Sequence, residues 1–202
     1  MKASQLGILL LLTIFTLSLG LTGCGKKVSR RSAGEQIDLS GRWNDTDSQL
    51  VSKEMIEDSL SWPWIEDWGK KTGKKPTVMA YAVKNRSLEH INTQTFMKDL
   101  ERAFLRSGRV RVVADRDQQA DVRDERANQQ IGLTANPAAV GKELGADFVL
   151  TGVLNSIVDK EGGEKVVFYQ ANLELISVET NEKVWIGDKK IKKFVDQSAV
   201  KF

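Results

Sequence analysis

The sequence predicts an α/β protein in which a mixed sheet with flanking helices ends in an antiparallel meander. Three observations lead to this fold class. Apolar residues recur at helical spacing within residues 46–60 and 93–107, a continuous apolar run spans 77–83, and three strand-like segments joined by short turns occupy 148–186. Hydrophobic residues make up 41% and charged residues 28% of the 202 residues, a balance typical of globular proteins rather than disordered ones.

The first helix is predicted to follow an extended segment at residues 38–44. Thr46 and Gln49 fit the capping-box pattern, in which two side chains accept from the backbone N–H groups at the start of a helix. Pro63 is expected to break or kink this helix, because proline lacks the N–H that a helical hydrogen bond needs. The helix carries a broad apolar face, formed by Val51, Met55, Ile56 and Leu60.

A buried strand, a second amphipathic helix and a short strand follow. The apolar run 77–83 predicts a strand that is covered on both faces. Asn92 or Thr93 can cap the next helix, and Ser107-Gly108 ends it. Its apolar residues fall at i, i+4, i+7 and i+8, namely Phe96, Leu100, Ala103 and Phe104. A short strand is predicted at 110–113.

A polar segment, a short helix and the meander complete the predicted domain. Residues 115–130 contain so few apolar positions that a solvent-exposed helix or a loop is expected. Residues 136–145 predict a short helix that begins at an Asn-Pro pair and ends at a glycine. The meander strands are predicted at 148–158, 167–175 and 184–186, with turns at 161–163 and 179–182. In the middle strand, apolar residues from Val167 to Leu175 alternate with polar ones and are expected to face the core.

The N-terminus resembles the export signal of a bacterial lipoprotein. Lys2 precedes an apolar stretch, and Leu21-Thr22-Gly23-Cys24 is similar to a lipobox, the motif at which such proteins are cleaved and lipidated. The resemblance implies removal of residues 1–23 and acylation of Cys24. Gly25 follows where an acidic residue would retain the protein at the inner membrane, which implies the periplasmic face of the outer membrane. The alternative is an uncleaved transmembrane anchor, for which the apolar run is short.

A short tether is expected between the lipid and the folded domain. Residues 24–37 comprise the lipidated Cys and a polar spacer that carries four basic residues. The 13 residues after Cys24 reach at most about 45 Å when fully extended. The globular domain is predicted over 38–195, and a tail over 196–202.

The composition excludes several classes of function. One Cys and one His cannot build a disulfide framework or a Cys/His zinc site, and a net charge of +3 gives no reason to expect nucleic acid as a partner. No phosphate-binding glycine loop or nucleophile elbow occurs. A catalytic triad would have to use His90, which is better explained as a hydrogen-bonding loop residue. We therefore expect no catalytic residue, metal, cofactor or small-molecule substrate.

Two groups of residues are candidates for binding a protein partner. One lies around the start of the first helix and comprises Arg42, Asn44 and Asp45. The other is the tryptophan cluster at the Pro63 break, Trp62, Trp64 and Trp68, of which one exposed member would suit a partner anchor. For residues 41–48, the alternative is a structural role in the turn that leads into the helix.

These segments resemble one family. Residues 39–48 (LSGRWNDTDS) look like the opening signature of the LpoB-type penicillin-binding-protein activators. Weaker similarities follow at Asn85-Arg86-Ser87, Gly145-Ala146-Asp147 and Val184-Trp185, so that the resemblance covers about residues 38–195. It implies a non-enzymatic outer-membrane lipoprotein whose periplasmic domain resembles the N-terminal domain of TolB.

The family resemblance also implies a partner. Such proteins bind a bifunctional class A penicillin-binding protein at a small non-catalytic docking domain and raise its activities, which regulates peptidoglycan synthesis. The best-known members carry a long Pro-rich tether, whereas the spacer of this chain is short and contains no Pro. The short spacer favours an alternative, an envelope structural or assembly lipoprotein with a CsgG-like fold that is bound to an outer-membrane partner.

Overall fold

The computed structural model describes residues 28–196 in two compact units, one ending at Glu35 and the other beginning at Gln36. In the first unit, the described residues contain a turn at Ala33-Gly34 and an ion pair between Arg31 and Glu35 (3.4 Å). The predicted signal peptide, Cys24 and the tail beyond Asp196 lie outside the described residues. Within the described part, no helix has the length and apolarity needed to cross a membrane.

The second unit alternates helices and strands before it ends in three long strands. The elements are α1 (Asp45–Ser61), α2 (Trp64–Thr72), β1 (Thr77–Arg86), α3 (Gln94–Ser107), β2 (Arg111–Val113), α4 (Arg116–Gln129), β3 (Phe148–Glu161), β4 (Glu164–Ser177) and β5 (Lys183–Asp196). The sheet order is β2-β1-β3-β4-β5, with β2, β1 and β3 parallel and the last three strands antiparallel. The predicted fold class, a mixed sheet that ends in a meander, is confirmed.

The core lies between one face of the sheet and the apolar sides of α1, α2 and α3. On β4 the predicted alternation is confirmed, because Val167, Tyr169, Ala171, Leu173 and Leu175 are all at most 1% exposed. Register places Leu175 between Leu150 on β3 and Trp185 on β5, which joins the three strands in one apolar layer. The predicted apolar faces of α1 and α3 are buried in the same layer.

Two predicted helix features are confirmed, and one assignment at the start of α1 is wrong. Pro63 separates α1 from α2, and Gly108 ends α3 in the left-handed conformation (φ 62°). The capping box is formed by Asn44 and Asp47 rather than by Thr46 and Gln49. The Asp47 carboxylate reaches the backbone N–H of Asn44, so the helix begins two residues earlier than predicted. The segment before it, expected to be extended, bends at residues 39–42.

One expectation about burial and one about secondary structure are also wrong. β1 is buried on one face only, since Met79 and Tyr81 on its other face stay partly exposed and α4 contributes no buried residue to cover them. Of the alternatives at 115–130, the solvent-exposed helix forms. The short helix predicted at 136–145 does not form.

The segment after α4 folds onto that helix through polar contacts instead. Gly141 takes φ 75°, which interrupts a helix, and Glu143 pairs with Arg123 (2.8 Å) and Arg126 (2.5 Å). The hydrogen bond from Arg123, followed by that from Arg126, lowers the pKa of Glu143 to about 2. Val140 is 72% exposed, so an apolar helix face at this position would have nothing to pack against.

Candidate partner-binding site

The candidate site is built around the start of α1, where Asn44 has a structural role. Its Oδ1 accepts from the backbone N–H of Asp47 (3.1 Å), and its own N–H donates to Asp47 Oδ2 (2.9 Å). Its Nδ2 also donates to Asp38 Oδ1 (2.6 Å). The side chain of Asn44 is therefore occupied by the cap and by the segment that leads into it, as expected where a helix N-terminus needs acceptors.

A buried ion pair attaches this turn to the sheet. Lys193 Nζ on β5 lies 2.7 Å from Asp47 Oδ2 and 2.7 Å from Asp38 Oδ1, and it donates to the carbonyl oxygen of Arg42 at 3.0 Å. The side chains of Lys193 and Asp47 are only 11% and 3% exposed. Burial pulls the pKa of Lys193 down, but the hydrogen bonds to Asp38 and Asp47 outweigh it and raise that pKa. The pKa of Asp38 is lowered, chiefly by its bond to Lys193.

Glu89 joins the same turn to the middle of the sheet. Its Oε2 accepts from the backbone N–H of Trp43 (3.1 Å), and its Oε1 accepts from the hydroxyl of Tyr169 (2.6 Å). The carbonyl oxygen of Gly41 lies 3.0 Å from the same hydroxyl. Burial, followed by the nearby Glu89 carboxylate, raises the pKa of Tyr169. The rings of Trp43 and Tyr169 meet edge to face at 5.4 Å.

A surface groove of about 570 Å³ opens between this turn and the loop after β1. Arg42 and Asp45 line it from the turn, and Leu88 and His90 line it from the loop. Leu88 is 80% exposed, and Arg42 and Asp45 are exposed as well. An exposed apolar residue beside two opposite charges suits contact with a protein. The one carboxylate at the base of the groove, that of Glu89, is already hydrogen-bonded to Trp43 and Tyr169 and is therefore not available as a catalytic group. Among the described residues, no cluster of His, Cys, Asp or Glu could hold a metal.

The tryptophan cluster contains one buried, one half-buried and one exposed residue. Trp64 is 4% exposed and its Nε1 donates to the Ser59 carbonyl oxygen (2.8 Å). Trp68 is half-buried with its ring centroid 5.1 Å from that of Phe148. Trp62 ends α1 and is 38% exposed. The anchor hypothesis, which requires an exposed tryptophan, therefore applies to Trp62.

The structure thus brings Arg42, Asn44 and Asp45 together at one groove but leaves Trp62 outside its lining. Sequence reasoning missed Glu89, Tyr169 and Lys193, which connect the turn to the sheet. One signal was present, because a tyrosine in an apolar alternation needs a partner for its buried hydroxyl. Nothing in the sequence indicated that this partner would be Glu89.

Comparison with known proteins gives one family match. The family model described as peptidoglycan-synthase activator LpoB matches residues 47–191, which span the second unit from the first turn of α1 into β5. No curated protein matches the chain significantly.

Several solved structures are similar to this chain. The LpoB C-terminal domains from Salmonella enterica and Escherichia coli are each 19% identical, with a TM-score of 0.36 and coverage of 65% of this chain and 94% of theirs. Lipoprotein GNA1162 from Neisseria meningitidis is 17% identical, with a TM-score of 0.38 and coverage of 59% of this chain and 83% of its own.

Proposed function

Because this chain belongs to the LpoB family of peptidoglycan-synthase activators, we propose that it binds a bifunctional class A penicillin-binding protein and raises its activity. The observation that carries this proposal is the family match over residues 47–191, which include the helices and strands that form the core. The family is one of activators rather than enzymes. In the proposed role the chain performs no catalysis of its own and needs no cofactor.

The proposed mechanism is allosteric. A binding protein can raise the activity of an enzyme only if it binds the active arrangement more tightly than the inactive one. The turn at residues 38–48 suits a rigid contact surface, because the Lys193–Asp47 ion pair and the Glu89–Tyr169 hydrogen bond hold it against the sheet. Binding to a rigid surface costs less conformational entropy than binding to a mobile one.

The proposed contacts are Arg42 and Asp45 at the groove and Trp62 at the end of α1. All three are exposed, and none of the hydrogen bonds that hold the turn uses the Arg42 side chain. Asn44, Trp64 and Trp68 would act indirectly, by shaping the turn and the α1–α2 junction. Truncation of side chains that hold a turn or fill a packed junction lowers stability before it affects binding.

The proposed location is the periplasmic face of the outer membrane. Support comes from the lipobox-like sequence that ends at Cys24 and from Gly25 after it. Residues 24–37 would then act as the tether and residues 38–195 as the folded domain. Three acyl chains would anchor such a protein firmly, since a single chain binds a membrane only marginally.

The test is a reconstituted polymerisation assay. Full-length chain in detergent would be titrated into each purified class A synthase from the same organism, and both binding and the polymerisation of lipid-linked disaccharide precursor would be followed. We expect one synthase to polymerise faster, with an effect that saturates with dose. Absence of binding and of any rate change with every synthase would contradict the proposal and favour the envelope scaffold.

A further inference from the structure

The face of the sheet opposite the core carries an exposed apolar band near the turn between β3 and β4. Ile157 on β3 pairs with Phe168 on β4, and in the next row Val166 on β4 pairs with Phe194 on β5. Because directly paired residues point to the same side of a sheet, these four side chains form one surface. Ile157 is 66% and Phe194 62% exposed, and nothing within the described residues covers them.

Basic side chains lie on one side of this band, toward the start of β3. Register places Arg86 on β1 and Lys190 on β5 in the row that adjoins the band, with Lys84 one row further away. Lys192 lies at the border of the band itself. The carboxylate that shares these rows is that of Asp188, 3.0 Å from Lys190. Among residues 28–196, no carboxylate lies within ion-pair distance of the other three cations.

Acidic side chains lie on the other side of the band, at the turn between β3 and β4. The two rows there carry the carboxylates of Asp159, Glu161, Glu164 and Asp196. Lys160 and Lys165 pair with each other at the positions between these rows, so their side chains point to the opposite face. Within the described part of the chain, Asp159, Glu161 and Glu164 have no cation within ion-pair distance. Along the strands, the face therefore changes from basic through apolar to acidic.

This order makes the face complementary to itself. A second copy can lie on it with its strands reversed, related by a two-fold axis that crosses the strands at the apolar band. The two bands then pack together, and the basic rows of each copy face the carboxylates of the other. A uniformly acidic partner or an anionic bilayer would be repelled by the carboxylates, and a uniformly basic partner by Arg86 and Lys190. The occupant has to carry both charges in reverse order, as a second copy does.

We propose that Arg86, Ile157, Lys190, Phe194, Glu161 and Glu164 belong to a self-association surface, the open-face patch, through which two copies of the chain form a two-fold symmetric dimer with their strands antiparallel. Three strands and four rows give a flat contact of roughly 400 Å² per copy. Stable complexes bury about 800 Å² per partner, so the dimer is expected to be weak and to form at high concentration.

The dimer would leave the groove at Arg42 accessible on both copies. The turn before α1 is bonded to Lys193, whose neighbours Lys192 and Phe194 point to the open face while it points to the core side. The groove and the open-face patch therefore lie on opposite sides of the sheet. This inference does not depend on the proposed function, and it adds that two partner-binding grooves would be carried by one assembly.

The test measures the mass of the full-length chain by sedimentation equilibrium in a density-matched detergent, with micelles in large excess over chains. An acidic variant carries Arg86→Glu and Lys190→Glu, and a basic variant carries Glu161→Lys and Glu164→Lys. Each variant alone places like charges opposite one another, whereas an equimolar mixture restores opposite charges at both ends of the interface. We expect the dimer dissociation constant of each variant to be at least about tenfold above that of wild type, and that of the mixture to return to within about threefold.

The control carries Lys53→Glu and Arg106→Glu, which change the net charge as the acidic variant does but at exposed positions on the helical side. We expect the control to dimerise as wild type does, and thermal unfolding to be unchanged in all variants. A wild type that stays monomeric up to about 1 mM would overturn the inference, as would a mixture that restores no dimer. If wild type is monomeric and Phe194→Ser weakens synthase binding, the face serves the synthase instead, and the proposed function stands without the dimer.

Discussion

The hydroxyl of Tyr169 donates a 2.6 Å hydrogen bond to Oε1 of Glu89, although 80 residues separate them in the chain. Tyr169 is fully buried in the middle strand of the meander, whereas Glu89 lies in the loop after β1. The other oxygen of Glu89 accepts from the backbone of Trp43. This single carboxylate therefore connects the sheet, the loop and the turn that opens α1, and its partners give the groove at Arg42 its shape.

Tyr169→Phe is expected to destabilise the domain by about 1–3 kcal/mol, because the Glu89 carboxylate loses its hydroxyl donor. The measurement is urea unfolding at pH 7. The chain offers a matched control in Tyr81→Phe, since Tyr81 is the only other tyrosine and is partly exposed. We expect the control to change the unfolding free energy by less than about 0.5 kcal/mol. Equal effects of the two substitutions would show that the hydroxyl of Tyr169 contributes no stability of its own.

The unfolding free energy is expected to fall above about pH 10. Lys193 and Tyr169 both have raised pKa values in the folded chain, against unfolded values of about 10.4 and 10. Their contributions are complete below the unfolded pKa and are lost as the pH rises through the folded pKa, because the unfolded chain releases protons first. Each group contributes a slope of up to about 1.4 kcal/mol per pH unit.

The measurement is urea unfolding between pH 7 and 11. Lys193→Met should remove the contribution of Lys193 to the alkaline slope, and Tyr169→Phe should remove that of Tyr169. Both changes in slope are expected whatever the two substitutions do to the unfolding free energy at neutral pH. The control is Lys192→Met, because Lys192 is exposed on the opposite face and lies apart from the ion pair with Asp47. An alkaline slope that Lys193→Met leaves intact would mean that the Lys193–Asp47 pair is not formed in solution.

Arg42 and Asn44 should separate binding from folding. Arg42→Glu is expected to weaken synthase binding about tenfold and to leave the unfolding free energy within about 0.5 kcal/mol, since only its backbone is hydrogen-bonded. Asn44→Ala removes the helix cap and should cost about 1 kcal/mol. Both variants would be measured by thermal unfolding and by binding to the activated synthase. If Arg42→Glu unfolds as easily as Asn44→Ala, the role of Arg42 is structural.

The helices and strands that could be predicted are those in which the spacing of apolar residues along the segment determines which face is buried. α3 and β4 each carry a periodic apolar face, and that face packs in the core as expected. The segment at 136–145 contains the local signals of a helix, but it has no apolar layer to join, and its Glu143 is drawn to Arg123. Local signals decide secondary structure only where tertiary packing agrees with them.

The candidate site could be located in part. Arg42, Asn44 and Asp45 do gather at a groove, because a turn before a helix brings its residues together without help from the rest of the chain. The Lys193–Asp47 pair joins residues at opposite ends of the domain, and no spacing rule predicts a contact across so many intervening residues. The exposure of each sheet face also depends on where α4 packs. The sequence of α4 is polar throughout and does not predict that position.

Alanine substitutions at two glycines are expected to change stability in opposite directions, and the one at Gly152 tests the register of the sheet. A Cβ at Gly152 on β3 would overlap the carbonyl oxygen of Asn172 on β4, so Gly152→Ala is expected to cost about 3 kcal/mol or to prevent folding. Gly69 lies inside α2 with open space where its Cβ would stand, so Gly69→Ala should stabilise the domain by about 0.5–1 kcal/mol. Soluble yield and thermal unfolding of the two variants give the measurement. An alanine tolerated at position 152 would mean that β3 and β4 pair in another register, which would move Ile157 away from Phe168.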